Sequence, residues 1–250
     1  MFEASRLMAL KHGFLGIFSS NSKDEATLVV VKQLLLLNPK LHQISYFTPL
    51  RMKFVLVIGE VGSSSFVYII RMTDDKTGEL LGENFLKYVR IGRTSRRAEL
   101  LPSWFREKYS SKIDDNLPST FKRSVPPEIP SNAFRFTLQP LASDMDSNGH
   151  VNQSVYLKYC TDAAFVAVRA GYLKQFRDDI CRYPTTSWDV SYLGESFAGD
   201  TLVVSMWQDA EKHELIFFSI EREKKKIFYC ISTFDTESQQ KKAEYVQSKV

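Results

Sequence analysis

Apolar and polar positions alternate along much of this chain, and two longer apolar stretches break the alternation. Strands are predicted at Thr27–Leu36, Leu50–Glu60, Ser65–Thr73 and Leu80–Ile91, and again at Thr185–Leu193, Thr201–Trp207, Leu215–Arg222 and Lys226–Phe234. Turn residues separate them, as in Asp74-Asp-Lys-Thr-Gly78 and Glu223-Lys-Lys-Lys226. Connections this short require antiparallel neighbours. Helices are predicted over Phe2–Phe14 and from about Asn152 to Tyr172, each ahead of one set of strands. His12-Gly-Phe-Leu15 closes the first helix as Ala170-Gly-Tyr-Leu173 closes the second. Glycine suits that place because it adopts a left-handed conformation cheaply. Tyr46-Phe-Thr-Pro-Leu50 also echoes Ser196-Phe-Ala-Gly-Asp200. The chain reads as one layout used twice.

The repeat sets the expected organisation: a first unit at 1–109, a linker at 110–131, a second unit at 132–236 and a polar tail at 237–250. The linker is rich in Ser, Pro and charge, with Pro118, Pro126, Pro127 and Pro130, which disfavours helix and central strand. The second helix carries Tyr156, Tyr159, Ala163, Ala164, Phe165, Val166 and Ala167, apolar on nearly every face. Such a helix is expected to be enclosed. The expected fold is therefore α+β: two units, each a curled antiparallel sheet wrapped around a long helix.

Composition narrows the function classes. A net charge of +4, with the basic residues dispersed, lacks the dense basic stripe of a nucleic-acid binder. Arg93, Arg96 and Arg97 read as edge charge, and Arg222-Glu-Lys-Lys-Lys226 as a solvated hairpin tip. Cys160, Cys181 and Cys230 are odd in number and widely spaced, so neither a disulfide framework nor a metal site is expected. No cofactor is expected either. Leu28–Leu37 is interrupted by Lys32 and Gln33 and is too short to span a bilayer, so stable membrane insertion is not expected. Glu3, Arg6 and Lys11 do not suit a signal peptide. The final Ser-Lys-Val resembles a peroxisomal address only loosely, and the expected location is cytoplasmic, with peroxisome or another organelle left open.

The densest chemistry lies at Ser143-Asp-Met-Asp-Ser-Asn-Gly-His-Val-Asn-Gln-Ser-Val-Tyr156, between the strand-like Phe134-Arg-Phe-Thr-Leu-Gln139 and the second helix. Strand, polar elbow and helix place Asp144, Asp146, Asn148, His150 and Asn152 near a helix start. There, free N–H groups and the helix dipole can polarise a carbonyl. Asp146 also suits a plain N-cap, and His150 a satisfied histidine. His12, His42 and His213 stand outside any such cluster.

This motif resembles that of the hotdog-fold thioesterases, most strongly the plant acyl-ACP thioesterases around Ser143–Asn152. The shorter acyl-CoA and 4-hydroxybenzoyl-CoA thioesterases share a looser Asp-x-Asp-x-x-Gly pattern. The resemblance implies a tandem double hotdog whose C-terminal half carries the motif. It places catalytic roles on Asp146, Asn148 and His150, and on Glu195 in Tyr192-Leu-Gly-Glu-Ser-Phe197. The plant enzymes have a cysteine where this chain has Ser196. Aligning the two helices sets Met1 against Tyr159, so the first unit is expected to lack its opening strand and motif.

The implied reaction is hydrolysis of an acyl-CoA or acyl-ACP thioester to free fatty acid and thiol, with Asp146 as base or nucleophile. Backbone N–H groups near Gly149–Val151 would hold the oxyanion, and Gly149 would let the thioester approach. Asn148 and His150 would orient the water or the carboxylate. Gly149, Val151, Asn152 and Tyr156 are the expected substrate contacts, with the acyl chain in an apolar channel. Self-association into a homo-oligomer is left open. One alternative is a non-catalytic acyl-CoA or lipid-binding protein, and another a purely structural double hotdog. A third is an enoyl-thioester hydratase, but the hydratase pattern Asp-x-Asn-Pro-x-His sets His five residues after Asp. Here His150 follows Asp146 by four with no proline between, which favours the thioesterase.

Overall fold

The computed structural model describes residues 1–12, 15, 26–44, 51–111, 113–114, 116–122, 127–146, 149–173, 176 and 179–236. Tyr46-Phe-Thr-Pro-Leu50, Gly13-Phe14, Asn148 and the expected tail at 237–250 lie outside the described residues. The chain divides into two compact units, Met1–Ser124 and Val125–Val250.

In the first unit, helix α1 (Phe2–Lys11) precedes strands β1 (Ala26–Leu37), β2 (Met52–Val61), β3 (Ser65–Asp74) and β4 (Leu80–Gly92). They pair antiparallel in the order β2-β3-β4-β1. The β3–β4 connection is closed by Asp74, whose Oδ1 accepts from the N–H of Lys76 at 2.7 Å and of Thr77 at 3.2 Å. Gly78 then takes φ +72°, where a side chain would be strained. β3 is an almost unbroken apolar run because both its faces are covered. Phe66, Tyr68 and Ile70 pack with Tyr88 and Leu101, and with Phe105 from helix α2 (Ser103–Tyr109). Val67 and Ile69 pack on the other side with Leu34, Phe85 and Phe121.

Phe121 belongs to the segment read from sequence as linker. A 3-10 turn at Ser119–Lys122 seats its ring 6.0 Å from that of Phe85. Nearby, the Asp114 N–H donates to Ile58 O, and Arg71 bridges Glu83 at 2.9 Å and Asp114 at 2.6 Å. The described part of this segment up to Lys122 is thus packed onto the first unit, through Leu117 and the Phe121 ring, the Ile58–Ile113 bridge and the Arg71 network.

The second unit runs β5 (Phe134–Leu138), α3 (Val155–Arg169), β6 (Thr185–Tyr192), β7 (Leu202–Gln208), β8 (Leu215–Arg222) and β9 (Lys225–Phe234). Its strands pair antiparallel in the order β6-β9-β8-β7-β5. β8 and β9 are joined by Glu223-Lys224 alone, at φ 52° and 64°, the backbone of a tight primed hairpin turn. α3 starts later than its apolar pattern suggests. Asn152 Oδ1 accepts from the N–H and hydroxyl of Ser154 at 3.0 and 2.9 Å, which holds Asn152–Ser154 as a turn. The helix ends on Gly171 at φ +72°, with Tyr172 N–H donating to Ala167 O and Gly171 N–H to Val168 O.

The expected curled sheet wrapped around a helix is not what forms. The sheet is open, neither strongly curled nor closed, and no pairing joins β2 to β1 or β6 to β5 within a unit. The physical reason lies in α3. Tyr156, Tyr159, Cys160, Ala163, Ala164 and Ala167 are buried, whereas Lys158, Asp162, Val166 and Arg169 form an exposed stripe. A helix with a solvated stripe needs cover on one side only, and an open sheet supplies it. The fold is α+β, with nine strands among the described residues.

Candidate active site

The elbow between β5 and α3 is a small hydrogen-bonded scaffold. Met145 and Val151 face each other in an isolated antiparallel bridge. Asp146 N–H donates to His150 O at 2.8 Å, and Asn152 N–H to Asp144 O at 2.9 Å. The intervening turn is closed by Gly149 N–H on Asp146 O at 3.1 Å. Gly149 sits at φ +80° with open space where a Cβ would point, so glycine is required here by backbone conformation.

This scaffold meets a segment remote in sequence. Val151 N–H donates to Ser196 O at 2.9 Å, and His150 Nε2 lies 3.5 Å from Glu195 Oε2. Leu193 and Gly194 both donate to Ile227 O, which fixes the approach to Glu195. Beyond it, the Phe197 ring stands edge-on to His150 at 5.4 Å, and the Arg222 guanidinium lies 5.6 Å from the Phe197 centroid. Asp200 anchors that group by accepting from Phe197 N–H at 2.8 Å and from Arg222 at 3.1 Å.

The sequence-predicted residues fall into distinct places. His150 and Glu195 are in contact and partly exposed; Asp146 is also partly exposed and belongs to the same turn as His150. Asn148 lies outside the described residues. Asn152 uses its side chain to set up the start of α3. Tyr156 is buried, stacked 5.2 Å from Phe228, and its hydroxyl lies 2.8 Å from Ser196 Oγ. Burial raises its phenol pKa, so the hydroxyl stays protonated. Ser196 is fully buried and joins α3 to the Glu195 segment. The N-cap of α3 is Ser154, which removes the capping role from Asp146. Of the three N–H groups expected to meet an oxyanion, Gly149 and Val151 are engaged within the fold. His150 N–H makes no hydrogen bond among the described residues.

The acid that sequence reasoning left without a role is Asp144. It is buried, and its Oδ2 accepts from Leu141 N–H at 2.9 Å and from the Tyr159 hydroxyl at 2.8 Å. Lys158 Nζ lies 3.6 Å from Oδ1. Burial opposes its ionisation, but the Leu141 N–H, the Tyr159 hydroxyl and Lys158 together hold the carboxyl below the usual aspartate range. Tyr159 is pushed upward, by burial first and then by the carboxylate it donates to. The only available signal was an Asp–Tyr spacing across the elbow, which no local periodicity reveals.

A depressed folded pKa has a defined consequence for stability. The contribution of Asp144 is fully present above the unfolded aspartate pKa and is lost as pH falls through the lower folded value. Asp144→Asn is therefore expected to flatten the acid limb of a plot of stability against pH. Denaturant melts from pH 7 to pH 2 read this directly, and an unchanged limb contradicts it.

Among the described residues, no group of three or more His, Cys, Asp and Glu is arranged to hold a metal ion. Among them, too, no helix is long and apolar enough to cross a membrane.

Residues 140–249, which include this site, match the Thioesterase-like superfamily. No curated protein matches the chain. Among solved structures, the 12:0-ACP thioesterase from Umbellularia californica superposes with a TM-score of 0.72 at 16% identity, covering 94% of this chain and 88% of that one. An acyl-ACP thioesterase from Bacteroides thetaiotaomicron gives 0.66 at 18% identity, covering 94% and 86%. At these identities the superpositions speak for the fold, and the family match is confined to the elbow, α3 and the following strands. Residues 140–249 thus resemble the thioesterase-like superfamily, and the chain shares the hotdog fold of the solved acyl-ACP thioesterases.

Proposed function

We propose that this protein hydrolyses acyl thioesters, on a CoA or acyl carrier protein, to a free carboxylic acid and a thiol. The observation that carries the reading is the meeting of His150 with Glu195 at 3.5 Å on the turn that also bears Asp146. An imidazole and a carboxylate on a hydrogen-bonded turn, with a second carboxylate facing the imidazole, suit proton transfer to and from water. Asp146 acts as general base on water, or attacks the carbonyl directly. His150 and Glu195 orient the water and the leaving thiol, and Asn148 supports them as the family resemblance implies. The His150 N–H, which makes no hydrogen bond among the described residues, faces the developing oxyanion, and Gly149 leaves the backbone open to the thioester. Tyr156 and Asn152 act from behind, as the frame of the α3 start.

The test is a panel of acyl-CoA and acyl-ACP substrates of graded chain length. The purified chain is expected to release thiol and free acid in equal amounts. Binding of acyl-CoA without turnover across the panel, or hydration of an enoyl-CoA in its place, would overturn the proposal.

A further inference from the structure

Asp144 is tied to its surroundings at several points. Its carboxylate accepts from Leu141 N–H, ahead of the elbow, and from Tyr159, one turn into α3. Its carbonyl accepts from Asn152 N–H, beyond the elbow. The turn carrying Asp146 and His150 is therefore suspended between Asp144 and Asn152, and Asp144 is fixed to the helix by the buried Tyr159 phenol, with the exposed Lys158 ammonium 3.6 Å away. Tyr159 is itself 3% exposed, edge-on to Tyr156 at 6.2 Å, so its hydroxyl has little freedom. Depression of the Asp144 pKa keeps the acceptor charged wherever Tyr159 donates to it.

We infer that Asp144 and Tyr159 form a positioning clamp: the buried carboxylate–phenol bond holds the 145–151 turn in register with α3 and so sets Asp146 and His150 against Glu195. Neither residue touches the substrate. This rests on the proposed thioesterase activity only for its kinetic consequence; the ordering of the turn is independent of it. A misplacement of about an ångström at reacting groups is enough to cost rate without weakening substrate binding.

The test uses Tyr159→Phe, which removes one hydroxyl and keeps the ring, and Asp144→Asn in parallel, should either variant fold poorly. Deuterium exchange at the amides of residues 144–153 is expected to quicken about tenfold or more in each, while the later turns of α3 exchange as before. With palmitoyl-CoA as probe, kcat is expected to fall about tenfold or more with KM within about threefold. The double variant should lose no more than the worse single one, because the two residues act through one bond. Exchange that is unchanged at 144–153, or that quickens equally throughout the second unit, overturns the clamp. So does unchanged kcat in an active protein, or a double variant whose losses multiply. If the wild type releases no thiol from palmitoyl-CoA or from any other acyl-CoA or acyl-ACP, the thioesterase proposal fails, and the exchange result alone decides whether the clamp orders the turn.

Discussion

Asp146→Asn is expected to slow thioester hydrolysis by about two to four orders of magnitude, the range lost when a positioned base is removed. The amide matches the carboxylate in shape but neither takes a proton from water nor forms an acyl anhydride. Stability should barely change, for reasons the structure makes specific. Asp146 is partly exposed, and its backbone bonds, from its N–H to His150 and from Gly149 to its carbonyl, do not involve the side chain. The N-cap position of α3 is Ser154, so the substitution does not change the residue at the helix start. Thiol release from a long-chain acyl-CoA, with a thermal melt of the same sample, checks both halves. A wild-type rate removes Asp146 from the chemistry; a collapsed melt makes the lost rate uninformative and contradicts the structural argument.

Phe121→Ala should destabilise the first unit strongly, although the residue lies in a polar segment. The ring is 5% exposed and shares a cluster with Leu34, Val67, Ile69 and Phe85. Truncating a buried phenylalanine costs about 3–5 kcal/mol, from lost burial and from the cavity left behind. That is a large share of a typical domain's stability. Proline- and serine-rich composition alone leads to the opposite expectation, a substitution within about 0.5 kcal/mol as at an exposed site. Urea unfolding followed by the first unit's fluorescence separates the two.

Phe121 also shows where sequence reading stops. The strands were legible because alternation and turn chemistry are local properties, and β3 and β7 follow their apolar runs to within a residue or two. Whether one phenylalanine in a polar segment turns inward depends on a gap between Leu34 and Phe85, strands remote in sequence. The same limit explains the sheet. An apolar count over α3 suggested enclosure, but Lys158, Asp162, Val166 and Arg169 recur at helical spacing and keep one side solvated. At the elbow, the motif stood out by composition, yet the division of labour within it did not. Asp144 and Asp146 are two residues apart and chemically identical. Tyr159, Leu141 and Lys158 mark out the buried anchor from the partly exposed acid. Glu195 was reached through family resemblance, since nothing in Gly194-Glu-Ser196 announces that Val151 will bond to Ser196 O.

The central claim is that the residues gathered at this turn hydrolyse acyl thioesters as a unit. The most direct measurement is a double-mutant cycle on kcat/KM for acyl-CoA hydrolysis, using wild type, His150→Gln, Glu195→Gln and the double variant. Because the two side chains meet at 3.5 Å, each single change is expected to cost about tenfold or more, and the double change little beyond the worse single one. Single variants that work at the wild-type rate, or losses that simply multiply in the double variant, would contradict it.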